Sequence, residues 1–201
     1  TLRGTPFIYQ GEEIGMTNIS FESLEDFDDI ETRGYIKELQ EKGEMSEEEI
    51  LRIANYRTRD NARTPMHWND SKYAGFSEAE PWLKMNSNYP EINVEKDLNS
   101  EDSVFKYYQK MISMRKKYPV FAYGKYEILL EEDENIYAYQ RQGEENNLLV
   151  LLNFSENEAD YDLSSKLEIN EAELILNNYQ KEAAFGLKDS LRPYEARVYL
   201  Y

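Results

Sequence analysis

The sequence predicts an α/β segment that gives way to an all-β segment near residue 120. Two patterns carry this: apolar positions at helical spacing with capping signals before Pro119, and short alternating runs separated by polar turns after it. The 201 residues also hold 40% hydrophobic and 13% aromatic side chains, with 17 tyrosines. That is enough apolar material for a core, so a net charge of −17 does not mark a disordered acidic chain.

In order along the chain, residues 2–15 place the apolar run Pro6-Phe7-Ile8-Tyr9 between Gly4 and Gly11. This reads as a buried strand ending at a tight turn, with Gln10, Glu12 and Glu13 just past its carboxyl end. Residues 16–45 are acidic and irregular, with short helices expected over 23–27 and 28–41. A firm helix follows from 46 to about 57, where Ser46 and Glu49 form a capping box and Ile50, Ile53, Ala54 and Arg57 share a face. Residues 60–97, rich in Pro, Gly, Asn and Asp but carrying Trp68, Phe76, Trp82 and Tyr89, read as a long ordered loop of the kind that serves a site. The strongest helix spans 102–118. Val104, Tyr107 or Tyr108, Met111, Ile112 and Met114 form its apolar face; Glu101 and Asp102 lie at its positive end and Arg115, Lys116 and Lys117 at its negative end. Strands are expected at 126–130, 136–141, 148–153, 159–163, 174–176 and 196–201, forming a small antiparallel sheet or sandwich. Tyr137, Tyr139, Tyr199 and Tyr201 alternate at strand period and read as core and cross-strand packing.

Composition narrows the chemistry. The acidic excess repels a phosphate backbone and an anionic lipid surface, so neither nucleic acid nor membrane is an expected partner; a neutral or cationic small substrate fits better. With no cysteine and one histidine, thiolate chemistry and His or Cys metal clusters are excluded within the chain, and neither metal nor cofactor is expected. No apolar run reaches the length of a spanning helix. A disulfide-free chain is compatible with cytoplasm, the expected location. The chain begins Thr-Leu-Arg rather than with Met.

Glu12-Glu13 and Asp28-Asp29, with Glu31 nearby, are carboxylate pairs, but sequence neighbours do not by themselves flank a glycosidic bond, and such pairs on an acidic chain read as solvated surface. The stretch Arg59-Asp60-Asn61-Ala62-Arg63-Thr64-Pro65-Met66, followed by Trp68, is more informative. Two readings stand. The residues grip hydroxyl-rich groups through forked hydrogen bonds and an aromatic face, or Arg59 and Asp60 form internal salt links that pin the loop, with Asp60 an ordinary cap. His67, between Met66 and Trp68, reads as a hydrogen-bonded wall residue.

The segments GTPFIYQGEEIGM (4–16), FDDIE (27–31), RDNARTPMHW (59–68), AGF (74–76), NVEKDLNSEDSVFKYYQKMISMRKKYPV (93–120) and PYEARVYLY (193–201) closely resemble the C-terminal third of α-glucosidases of the α-amylase superfamily. Among these, oligo-1,6-glucosidases, dextran glucosidases and trehalose-6-phosphate hydrolases are the nearest in kind. The resemblance implies the final strand–helix portion of a TIM (β/α)8 barrel with substrate-binding loops over 1–119, followed by a small antiparallel β-sandwich domain over 120–201. Barrel active sites lie at the carboxyl ends of the strands. Arg59 matches the arginine that holds the non-reducing glucose in the −1 subsite, Glu31 matches an acidic residue lining the +1 subsite, and Asp60 and Arg63 support that shell. The family's usual PMQW is PMHW here, with His67 replacing glutamine.

The family's nucleophile, acid/base and stabilising carboxylates have no match in this chain, and no residue of it is assigned a catalytic role. The expectation is a fragment of a retaining α-glucosidase that cleaves α-1,6 bonds in short oligosaccharides, its partners being the sugar and the upstream part of the same enzyme. Alternatives are a noncatalytic carbohydrate-binding or structural module and a fragment of a trehalose-6-phosphate hydrolase; transferase or isomerase activity is also left open. Residues 1–100 are expected to need a partner for order, whereas the β-domain is expected to fold alone.

Overall fold

The computed structural model describes residues 1–179 and 184–201, in two compact units: residues 8–106, and residues 1–7 together with 107–201.

In the unit of residues 8–106, a 3-10 turn at Glu12–Ile14 is bracketed by Gly11 and Gly15, both at positive φ. A Cβ on Gly11 would sit 2.8 Å from Met16 Sδ, so any other residue there would have to displace the Met16 side chain as well as adopt a strained backbone. Helix α1 (Ile30–Lys42) starts where Asp29 accepts from Thr32 N and stops at Gly43, φ +64°. Helix α2 (Glu47–Arg57) opens on the reciprocal Ser46–Glu49 box that its sequence predicts. The two helices pack through Ile36 and Leu39 of α1 and Ile50 and Ala54 of α2, around Ile19, Phe21 and Phe27. The Phe21 and Phe27 rings lie 4.7 Å apart, and each such buried side chain contributes about 2–3 kcal/mol.

The following stretch holds 3-10 turns at Arg59–Arg63 and Lys72–Gly75 and a short helix, α3 (Val94–Asn99), where the sequence predicts the end of a loop. Tyr73, Ala74 and Gly75 all have positive φ. This left-handed turn directs the Ala74 carbonyl to the amides of Trp68 and Asn69, at 2.8 and 3.1 Å. At the start of helix α4 (Val104–Lys117), Asp97 of α3 accepts from Val104 N and Phe105 N at 2.9 and 3.1 Å, and Ser103 Oγ accepts from Lys106 N at 3.0 Å.

The run at 6–9 is the clearest departure from the sequence reading. It forms no strand, and Phe7 is 91% exposed. An apolar extended segment becomes a strand only when a neighbouring backbone pairs with it, and no described strand does so.

The other unit is built on a five-stranded antiparallel sheet in the order β1-β2-β3-β7-β5. Its strands are β1 (Lys125–Ile128), β2 (Ile136–Gln142), β3 (Asn147–Asn153), β7 (Ala196–Leu200) and β5 (Glu173–Asn177). A two-stranded ribbon pairs β4 (Ala159–Asp162) with β6 (Lys188–Leu191). Alternation divides β3 between two cores. Leu149 and Leu151 face Ala138, Tyr199 and the ribbon's Tyr161 and Leu191. Leu148 and Val150 face Val198, Tyr139, Met111 and Met114 of α4, and Phe121 of the short helix α5 (Val120–Tyr123). The sheet is thus covered by the ribbon on one face and by helices on the other, with Tyr139 and Tyr199 fully buried as expected.

Two buried charge arrangements sit in this unit. The Arg141 guanidinium donates to the carbonyls of Gly124 (3.0 and 2.8 Å), Phe121 (3.2 Å) and Thr1. Glu195, wholly buried, pairs with Arg192 at 2.7 Å and Arg197 at 2.8 Å, and Arg197 pairs with Asp189 at 2.8 Å. Burial opposes its ionisation, but the two arginines win and hold the Glu195 carboxyl at about 2.

Candidate functional site

All four site residues expected from the sequence lie in the unit of residues 8–106, and the structure draws them together around two buried carboxylates. Thr58 ends α2 and starts the Arg59–Arg63 turn, its hydroxyl accepting from Asp60 N at 3.2 Å. This aims Asp60 inward, where it is fully buried. One Asp60 oxygen accepts from Asp28 N (2.8 Å), Asp29 N (3.0 Å) and Thr58 Oγ1 (3.2 Å); the other pairs with Arg63. Asp60 is therefore the anchor that ties the turn to the segment leading into α1, well beyond an ordinary cap.

Asp29, the N-cap of α1, is buried as well. Its Oδ2 accepts from Thr32 N and Thr32 Oγ1, and its Oδ1 takes Arg59 Nε at 2.9 Å and Nη2 at 2.5 Å. The Arg59 hydrogen bonds hold the Asp29 carboxyl far below the usual carboxylate range, against a desolvation cost in the opposite sense, and the same contact raises Arg59 further. Arg59 stays accessible, with 63% of its side chain exposed, and Glu31 Oε2 stands 3.6 Å from its Nη2.

The structure realises the internal-salt-link reading of the 59–66 stretch: Asp60 pairs with Arg63 and Asp29 with Arg59, and this leaves the Arg59 guanidinium oriented and exposed with the Glu31 carboxylate beside it. Asp29 was missed. Its place in an acidic pair on an acidic chain resembled solvated surface, and Asp28 fits that reading, but Asp29 does not. The signal that could have found it is the N-cap pattern Asp29-x-x-Thr32 at the start of α1.

Arg63 also lies over the Trp82 ring, 5.5 Å from its centroid, with Trp82 itself exposed. A cavity of about 300 Å³ adjoins the turn, lined by Tyr9, Gly11, Glu12, Tyr56, Thr58 and Asn61 among others. His67 is wholly buried and hydrogen-bonded through Nδ1 to the Ile92 carbonyl at 2.8 Å, the wall residue expected. No group of three or more carboxylates or imidazoles among the described residues is placed to hold a metal ion, and no described helix is long and apolar enough to cross a membrane.

Residues 1–124 match the family described as alpha amylase, catalytic domain, and residues 126–198 match the maltogenic amylase C-terminal domain. The chain is 46% identical over 199 residues to an oligo-1,6-glucosidase of Parageobacillus thermoglucosidasius, covering 98% of this chain and 35% of that protein. It is 43% identical over 199 residues to a trehalose-6-phosphate hydrolase of Bacillus subtilis, covering 98% and 35%. Among solved structures it superposes on a trehalose-6-phosphate hydrolase of Bacillus licheniformis with a TM-score of 0.94 at 38% identity, covering 98% of this chain and 36% of that one. It superposes on an isomaltulose synthase of Klebsiella sp. LX3 with a TM-score of 0.90 at 42% identity, covering 99% and 36%. The chain spans about a third of the length of these relatives.

Proposed function

The chain belongs to the α-amylase family, and from that premise we propose that it supplies the sugar-gripping loops and the C-terminal β-domain of a retaining α-glucosidase acting on α-1,6 bonds of short oligosaccharides. Residues 1–119 are assigned to the end of the barrel and 120–201 to the β-domain. The observation that carries the reading is Arg59: an exposed guanidinium fixed on one edge by the buried Asp29, with the Glu31 carboxylate 3.6 Å away. A fork so held offers its remaining N–H donors to vicinal hydroxyls of a glucose ring, and Glu31 accepts from a hydroxyl of the neighbouring sugar. Asp60 and Arg63 keep the turn in place and touch no substrate.

A retaining mechanism needs two carboxyl groups about 5–5.5 Å apart, one of them protonated at the start of the cycle. The carboxylates gathered here do not suit that work. Asp29 is held firmly ionised, and Asp60 is saturated by four donors. This unit therefore binds and orients, while the nucleophile and the acid/base are assigned to the upstream part of the same enzyme, a partner on this reading.

In the complete enzyme, Arg59→Ala should lower kcat/KM for isomaltose about 100-fold, the loss of one or two charge-assisted hydrogen bonds. An unchanged kcat/KM would sink the assignment. Similarity to a trehalose-6-phosphate hydrolase supports a second reading in which the substrate carries a phosphate; parallel assays on isomaltose and trehalose 6-phosphate separate the two. A noncatalytic module would instead show the isolated chain binding maltose or isomaltose unaided.

A further inference from the structure

We infer that His67 is an acid-sensitive latch on the loop that follows the Arg59–Arg63 turn. The loop closes on itself around this residue. Val94 N donates to the His67 carbonyl at 3.0 Å, Glu95 N donates to the Trp68 carbonyl at 3.1 Å, and the His67 ring reaches Ile92 O at 2.8 Å. Because a carbonyl only accepts, Nδ1 must carry the hydrogen, and Nε2 is then the bare nitrogen of a neutral imidazole. That Nε2 is sealed from solvent and has no hydrogen-bond partner among the described residues. In the neutral ring it is a lone pair without a donor, a modest cost. In the protonated ring it becomes a buried N–H carrying charge without an acceptor among the described residues, which is far more costly.

The surroundings offer no relief. Tyr89 meets the ring edge-on at 6.2 Å between centroids. The charged side chains of the flanking segments, Asp70, Lys72, Glu91, Glu95 and Lys96, are exposed, and Glu91 is taken by Lys96 at 3.0 Å. Burial accordingly depresses the imidazole below its ordinary value, with the Ile92 bond opposing only in part and no charged neighbour contributing.

The sign follows. The unfolded chain takes up a proton near pH 6.5 and the closed loop does not, so the loop's stability is complete above that pH and is lost as pH falls toward the depressed folded value. Between pH 7.5 and 5.5 the chain has one histidine, and its α-amino group lies in the other unit. Acidification over this range therefore acts on the loop through His67.

The single histidine makes the test direct. Its ring proton resonances, followed by NMR against pH, should titrate below 6.5, with nitrogen shifts placing the neutral-state hydrogen on Nδ1. Amide exchange at Val94 and Glu95 in His67→Gln, which keeps a side chain able to donate to Ile92 O, supplies the second measurement. The wild-type chain should lose at least threefold protection at pH 5.5 relative to the variant, with the two matching within twofold at pH 7.5. Titration at or above 6.5, an Nε2–H tautomer, or equal pH dependence in the two proteins would each overturn the latch.

Discussion

Asp60 tests the site's architecture most directly, because its two oxygens do separable work. Oδ2 serves Asp28 N, Asp29 N and Thr58 Oγ1, while Oδ1 serves Arg63 alone. In Asp60→Asn the side-chain oxygen can keep the three donors on its side, leaving the new amide to face the Arg63 guanidinium donor to donor. Arg63 is 41% exposed, so solvent already screens that pair, and the cost should be about 1–2 kcal/mol. Asp60→Ala removes every acceptor and strands two backbone N–H groups at a buried junction, at about 1–3 kcal/mol each, for a total of about 3–5 kcal/mol. Both tryptophans, Trp68 and Trp82, lie in the unit of residues 8–106, so fluorescence during urea unfolding reports on that unit alone. With a slope of about 1–2 kcal/mol/M, the alanine variant should unfold about 2 M earlier than wild type and the asparagine variant about 1 M earlier. Equal midpoints for wild type and Asp60→Ala, or an asparagine variant worse than the alanine one, would refute the division of labour.

In the sheet unit, Glu195→Gln leaves the buried Arg197 and the partly exposed Arg192 against a neutral partner and should cost about 3–5 kcal/mol by tyrosine near-UV circular dichroism; a loss under 1 kcal/mol contradicts this. Because the Glu195 carboxyl is held at about 2, its stabilisation is present above pH 4.5 and fades as pH falls toward 2, an acid limb that the glutamine variant should lack. Asp29 behaves in the same direction: its contribution is complete above its ordinary value near 3.8 and is lost in stronger acid. Arg59→Ala should therefore lower stability at neutral pH and flatten the acid limb of the fluorescence-detected unit, with the exposure of Arg59 limiting the size of the loss. On an isolated monomer, hydrogen exchange should show weaker protection in residues 8–106 than in the sheet; equal protection would mean that the first unit needs no partner.

What the sequence made legible follows from how strongly each element depends on its own residues. Six of the seven described strands were readable because β1–β5 and β7 alternate apolar and polar positions or, like β3, carry a continuous apolar run. The missed strand, β6, reads Lys-Asp-Ser-Leu, and only Leu191 of it is buried; its identity lies in its pairing with β4. Helix α3 escaped for a related reason: six residues, none buried, held by the Asn93 cap. The 6–9 run failed in reverse, having the composition of a strand without a described partner. At the candidate site, Arg59, Glu31, Asp60 and Arg63 stand in contiguous motifs that the resemblance singles out, and the structure brings them together. Asp29 was not, because burial of one carboxylate in an acidic pair is decided by a guanidinium thirty residues away.

The strand order of the sheet also sets a timetable. β7 lies between β3 and β5, yet β3 and β5 precede it in the chain and pair with each other only through it. As the polypeptide leaves the ribosome, β1, β2 and β3 can assemble as a meander while β5 waits without a neighbour. The sheet closes in one step, when residues 196–200 have emerged. A nascent chain arrested before that point would display the β3 and β5 edges open, as templates for whatever strand is near.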